Sequence, residues 1–241
     1  MHAALLVLTA LAFLLRPEAA TAQPKHYPLE SVTGLALHNV AAEPVTLQGK
    51  KGLLLTLADE TRRQLEAMAA EDPRRLSLEQ YASIDGLEFS NGTIEVELAG
   101  APAPGAGEGA RGFVGIAFRL QKEKEAYDAF YLRPTNGRAD DQERRNHSTQ
   151  YVAHPDWPWF RLRKETPSRY EAYVDLVPGQ WTKIRIEVRG DRARLYVHGS
   201  EQPALIVNDV KSGAQGKGAV ALWIGPGTVA HFRDLTIERR P

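Results

Sequence analysis

The alternation of apolar and polar residues with period two limits this chain more than any other feature. Ile94, Val96 and Leu98 alternate with Glu95 and Glu97, and Val114, Ile116, Phe118 and Leu120 with Gly115, Ala117 and Arg119. Phe130 and Leu132 alternate with Tyr131 and Arg133, and Ile184, Ile186 and Val188 with Lys183, Arg185, Glu187 and Arg189. Leu195 and Val197, then Val220, Leu222 and Ile224, then Leu235 and Ile237 continue the pattern. Successive side chains of a strand point to opposite faces, so each run puts one set on a core and the other outward. Asn91-Gly92, Pro178-Gly179, Gly190-Asp191 and Gly225-Pro226-Gly227 punctuate the runs, with Gly190-Asp191 placed as a hairpin tip. About ten to twelve short strands are expected. The fold class is all-β: a two-sheet antiparallel β-sandwich, each sheet apolar on one face.

Three segments depart from the pattern. Asp59 to Glu71 reads as one short helix, with Asp59 near its start and Leu65 and Met68 apolar. Ala99 to Ala110, rich in Ala, Gly and Pro, reads as a mobile loop. Pro134 to Ser148 is polar and reads as a long exposed loop, a place where function often resides.

Before these strands, Ala3 to Leu15 form an apolar run broken only by Thr9, followed by Ala20-Thr21-Ala22. The run is too short to cross a hydrocarbon core of about 30 Å. It reads as a signal peptide spanning 1–22, cleaved before Gln23, ahead of a single domain over 23–241. Periplasmic or extracellular location follows. The 30 basic and 30 acidic residues leave no net charge, which argues against a nucleic-acid partner. With no Cys, a disulfide framework, a Cys-ligated zinc site and a Cys nucleophile are excluded, so the core alone must hold an exported fold together.

An ordered set of short elements carries a resemblance. Phe89-x-Asn91-Gly92-x-Ile94-Glu95 is followed by Gly115 to Arg119 and by Tyr127-x-x-Phe130-Tyr131-Leu132-Arg133-Pro134. Gln150-Tyr151, Gly179-Gln180-Trp181, Ala193 to Val197, Gly218-x-Val220-x-Leu222-Trp223 and Ala230-x-Phe232-x-x-Leu235 complete it. This succession resembles the concanavalin A-like lectin/glucanase superfamily. It is most similar to the bacterial exported branch with laminin-G-like modules and the 3-keto-disaccharide hydrolase domain. The resemblance covers about residues 80–238, and weakly 30–58. It implies a jelly roll with a glycan groove on a concave sheet. Laminarinase-type members carry E-x-D-x-x-E on one strand; Glu95-Val96-Glu97-Leu98-Ala99-Gly100 lacks the Asp and the final Glu.

The candidate chemistry is as follows. Glu95 and Glu97 share one strand face, roughly 6.5–7 Å apart, and are the candidate catalytic pair for carboxylate hydrolysis. The alternative is two solvated carboxylates, or else partners for Arg119 and Arg133. Arg119, Tyr131 and Arg133, with Gln150 nearby, form a candidate substrate-binding row of donors and a stacking ring, or else a salt-bridged surface. Trp157 and Trp159, in Trp157-Pro158-Trp159-Phe160, are candidate sugar-stacking rings, or else rings tucked over the end of the sandwich. Trp181 and Trp223 read as structural. His147 and His154 lack metal-ligand spacing, so no metal and no cofactor is expected. No G-x-S-x-G elbow or nucleotide-binding Gly motif is present. Two functions stand: a glycan-binding module using the concave sheet, and a glycoside hydrolase acting on (keto-)disaccharides. A structural or protein-interaction sandwich is the third. A carbohydrate or glycoside is the expected partner, with no membrane span after the leader. A sugar site gains strongly if Glu95, Arg119, Tyr131, Arg133 and Gln150 line one concave cleft, and a flat, loop-covered face there would sink both sugar readings.

Overall fold

The computed structural model describes residues 23–71 and 78–240; the expected signal peptide lies outside them. In chain order the strands are β1 (Lys25–Tyr27), β2 (Leu35–His38), β3 (Val40–Leu47), β4 (Lys50–Leu57), β5 (Tyr81–Ile84), β6 (Asn91–Pro102), β7 (Val114–Gln121) and β8 (Ala126–Leu132). They continue as β9 (Thr149–His154), β10 (Glu171–Ala172), β11 (Thr182–Arg189), β12 (Arg192–Val197), β13 (Leu205–Val207), β14 (Ala219–Ile224) and β15 (Thr228–Arg240). Helix α1 spans Asp59–Glu71, α2 Gln142–Asn146 and α3 Trp159–Glu165. No helix among the described residues is long and apolar enough to cross a membrane.

The strands form two antiparallel sheets. The first runs β13-β12-β11-β6-β15-β4-β3, with β1 also on β15; the second runs β10-β9-β8-β7-β14-β5-β2. The apolar phase of every alternating run faces its counterpart. Ile186 pairs with Ile94 and Leu195 in the first sheet, and Ile116 with Phe130 and Leu222 in the second. All six are buried, at 0 % exposure. The expected β11–β12 hairpin closes as read, with Arg189 opposite Arg192 and Gly190 at φ 59 in the turn.

The architecture is therefore the expected sandwich, with three corrections. Fifteen strands and three helices are described where ten to twelve strands and one helix were expected, because β1, β10 and β13 are too short to alternate visibly. Residues 99–102 are strand, not loop, because β15 is long enough to pair with them: Thr228 lies opposite Pro102 and Ala230 opposite Gly100. Residues 134–148 are not one exposed loop. Asp141 caps α2 by accepting from the Arg144 N–H at 2.9 Å, and Asn136 and Ser148 are buried.

The outward face of the second sheet positions the site. One cross-strand row runs His38, Tyr81, Trp223, Gly115, Tyr131, Gln150, Glu171 across all seven strands. The next row is small: Ala36, Ser83, Ala221, Ala117, Ala129, then Val152. Beyond it Tyr127 pairs with His154. Gly115 fits between Trp223 and Tyr131, whose ring centroids are 4.9 Å apart. A Cβ there would lie 2.6 Å from the Tyr131 Cβ and 2.2 Å from the Phe130 carbonyl oxygen.

Candidate functional site

Helix α3 lies against this outward face and closes half of it. Pro158 stands at its N-terminal boundary, a position that tolerates proline because no intrahelical N–H bond is lost there. Leu162 buries its side chain, while Trp159 and Phe160 remain 44 % and 61 % exposed. Between α3 and β14 the sheet leaves a pocket of about 250 Å³. Its walls are the rings of Phe113, Tyr131, Trp159, Phe160 and Trp223, with Val152, Pro158 and Pro226; its polar groups are Glu79, Tyr127 and His154.

Those three polar groups form one chain of contacts. The Tyr127 hydroxyl donates to Glu79 Oε2 and accepts from Trp223 Nε1 at 2.9 Å. Trp223 Nε1 also reaches Glu79 Oε2 at 3.4 Å. The second carboxylate oxygen, Oε1, lies 3.4 Å from His154 Nδ1. The imidazole stacks on the Tyr127 ring, with centroids 5.3 Å apart and planes inclined by 11°. Burial, and then the Glu79 charge, push the Tyr127 phenol well above its usual value, so it stays a proton donor. The side chain of Glu79 is 14 % exposed and that of His154 27 %. Both line the pocket, and the imidazole is the more exposed of the two. A carboxylate at Nδ1 orients the ring and leaves Nε2 to act on a bound molecule.

The expected site residues divide. Tyr131 lines the pocket, and Arg133 and Gln150 sit beside it under α3 without reaching the pocket. Arg133 donates to the Tyr131 hydroxyl and to Gln150 Oε1, both at 3.0 Å, and to Glu171 Oε1 at 3.2 Å. Gln150 donates to the carbonyls of Tyr151 and Tyr170. Both therefore hold Tyr131 in place. Burial raises the Glu171 carboxyl, but Arg163, Arg133 and His147 outweigh it and keep the group below the usual carboxylate range. Trp159 lines the pocket, whereas Trp157 lies in a neighbouring recess of about 180 Å³, under Arg161 and Lys211. Trp181 donates to the Leu47 carbonyl at 3.2 Å, away from the pocket.

Glu95, Glu97 and Arg119 do not join them. Glu95 and Glu97 point outward as expected, but from β6 of the other sheet, with the core between them and the pocket. Lys183 holds Glu95 at 2.7 Å, and Lys50 holds Glu97 at 2.9 Å. The solvated, paired alternative describes them, though their partners are lysines and Arg233. Arg119 is 1 % exposed and spends its guanidinium on backbone carbonyls. Its φ of 56° lies where the β7–β8 register shifts between Phe118 and Gln121, so the alternation that would have turned it outward fails there. The double substitution Glu95→Gln/Glu97→Gln is accordingly expected to leave ligand binding and turnover unchanged. A glycoside titration and an aglycone-release assay check this.

Glu79, Tyr127, His154 and Trp223 are among the pocket residues that the sequence did not single out, as are Phe113, Val152 and Pro226. Tyr127 and His154 lie in the same phases as Tyr131 and Gln150, so extending that pair by two rows reaches them. Glu79 precedes β5 in an irregular stretch and carries no periodic signal. No group of three or more His, Asp or Glu side chains among the described residues is placed to hold a metal ion.

Residues 79–238 match the model of the 3-keto-alpha-glucoside-1,2-lyase-like domain. The chain belongs to that family. The match begins at Glu79 itself and takes in every strand from β5 onward; β1–β4 complete the same two sheets. No curated protein matches the chain. Among solved structures, a Bacillus subtilis protein of unknown function with a galectin-like fold is 12% identical, with a TM-score of 0.55 over 92% of this chain and 100% of that one. The carbohydrate binding module CBM66 from Bacillus subtilis is 13% identical, with a TM-score of 0.52 over 86% and 96%. The Crh5 transglycosylase, solved with NAG, is 11% identical, with a TM-score of 0.50 over 94% and 88%. These likenesses establish the concanavalin A-like jelly roll, a fold shared by carbohydrate-binding modules and glycoside-processing enzymes.

Proposed function

We propose that the protein binds a 3-keto glucoside in the pocket between α3 and β14 and cleaves it by elimination across C1 and C2. One observation carries this reading. An imidazole open to an aromatic-walled pocket has its Nδ1 backed by a carboxylate that Tyr127 and Trp223 hold in place. A carbonyl at C3 makes the C2 hydrogen acidic. His154 Nε2 takes that proton, the C1–O bond breaks with its electron pair leaving on the aglycone oxygen, and C1=C2 forms. The proton returns to the departing oxygen, so charge balances. Glu79 stabilises the imidazolium formed in between and is a positioning residue. The aromatic walls suit the apolar faces of a sugar ring. The apolar run Ala3–Leu15 supports the reading that the reaction takes place outside the cytoplasm.

The test is incubation of the full chain with a 3-keto glucoside under proton NMR. Elimination gives a vinylic C1 proton in the sugar product. Release of free 3-keto sugar without it would mean hydrolysis and would overturn the mechanism.

Binding without turnover is the second reading, favoured by the exposure of Trp159 and Phe160 at the rim. Both readings need those rings. Trp159→Ala is expected to weaken glycoside binding by about 1–2 kcal/mol, or about five- to thirtyfold, through lost stacking area. Calorimetric titration measures it.

A further inference from the structure

The outer face of the first sheet is charged along its length, and over most of it opposite charges meet. Lys183 pairs with Glu95, Lys50 with Glu97, and Arg185 with Glu187. At the β11–β12 end this pairing stops. Arg189 and Arg192 stand directly opposite one another across the hairpin, and Arg194 follows on the same face. None of the three makes an ion pair among the described residues. Arg240, near the end of β15, faces the same space and is held by Glu238 at 3.2 Å. These four guanidinium groups line a pocket of about 210 Å³ together with Gly92, Val188 and the carboxylate of Glu187, whose residue stands directly opposite Arg194.

Three acidic groups lie in or near the lining, and they offset the four arginines only in part. Glu187 is engaged by Arg185 and by the Tyr196 hydroxyl at 3.0 Å. Glu238 is engaged by Arg240. Asp191 sits at the hairpin tip, outside the pocket lining. Like charges directly opposite on a sheet are destabilising. The hairpin cannot relieve this by opening, because its turn is tied from beneath. The Gly190 N–H donates to Asn91 Oδ1 at 2.7 Å, and its carbonyl accepts from Arg119 at 2.7 Å. The result is a fixed cluster with a local excess of positive charge in a chain whose total charge is zero.

We infer that this pocket is a binding site for a phosphate group, on the opposite side of the sandwich from the sugar pocket and independent of it. Planar guanidinium forks match a tetrahedral oxyanion with paired N–H donors. Glu187 and Glu238 offset two of the four positive charges, and a dianion matches the remaining excess better than a single carboxylate does. The group can be free, borne on a small metabolite, or a lipid headgroup.

The experiment is calorimetric titration of the full chain with inorganic phosphate at low and high salt. It is repeated with Arg192→Gln/Arg194→Gln and with Lys183→Gln on the paired part of the same face. Saturable binding is expected, weakening with salt, at least about tenfold weaker in the double variant and unchanged in Lys183→Gln. Both arginines are exposed, and thermal melts confirm that the variants fold. Absence of saturable binding by the full chain, or equal affinity in the double variant, overturns the inference. Co-sedimentation with phosphatidic acid vesicles, against phosphatidylcholine alone, distinguishes the sources. Arginine-dependent capture assigns a lipid headgroup; phosphate binding without capture assigns a soluble phosphate. Glycoside turnover is unaffected in either case, so the two sites fail or stand separately.

Discussion

His154→Ala is expected to lower the rate of aglycone release from a 3-keto glucoside by about 10²–10⁴-fold, the usual contribution of a positioned general base. The intact glycoside should still bind, because the aromatic walls at Trp159, Phe160 and Trp223 are untouched. The loss should therefore fall on kcat and leave KM nearly unchanged. Glu79→Gln separates the base from its support. Glutamine can still accept from Tyr127 and Trp223, so the pocket keeps its shape, but it carries no charge to favour the imidazolium. A smaller loss in kcat is expected, with KM again nearly unchanged. Undiminished kcat in His154→Ala, with thermal stability near that of the parent chain, would remove His154 from the mechanism.

The reason the sequence suggested a different set of residues is specific. Alternation tells which side chains of a strand face outward, and it was right for Glu95, Glu97 and Tyr131. It does not tell to which sheet the strand belongs. β6 lies in the first sheet and β8 in the second, so two outward sets that look alike in sequence end on opposite sides of the core. Pairing register is invisible for the same reason. That Tyr131 meets Gln150, and hence Tyr127 meets His154, follows from the connection through α2, whose length no periodicity fixes. Alternation also assumes an unbroken strand. The register shift after Phe118 ends that assumption one residue before the arginine that was to be placed by it. Trp159 and Phe160 were legible as rings near a site. Their helix was not, because Pro158 punctuates like a loop residue although it stands at a helix start. The ordered elements from Phe89 to Leu235, by contrast, rest on core positions and turns, which is why they identified the superfamily without fixing where its pocket lies.

Arg119→Met should be the most destabilising single substitution outside the apolar core. The guanidinium joins three separate segments. It donates to the Ser90 carbonyl at 2.9 Å, ahead of β6, and to the Gly190 carbonyl at 2.7 Å, in the β11–β12 turn. It also donates to the Gly213 carbonyl at 2.8 Å and to Ser212 Oγ at 3.0 Å, in the segment before β14. Burial pulls its affinity for the proton down, and the neighbouring Asp128 works in the opposite direction. Methionine fills most of the volume and satisfies none of these acceptors. Each buried carbonyl left unpaired costs about 1–3 kcal/mol, so a total loss of about 3 kcal/mol or more is expected. For a chain of this size that lowers Tm by roughly 6–12 °C. Arg119→Lys keeps the charge, but a single ammonium cannot span three segments as a planar fork does, so an intermediate loss is expected. Asp128 gives a second readout: burial already raises its carboxyl pKa, and removal of Arg119 should raise it further. A melt of Arg119→Met within about 2 °C of the parent, less than 1 kcal/mol on this scale, would show that the arginine is not what fastens the hairpin to the sandwich.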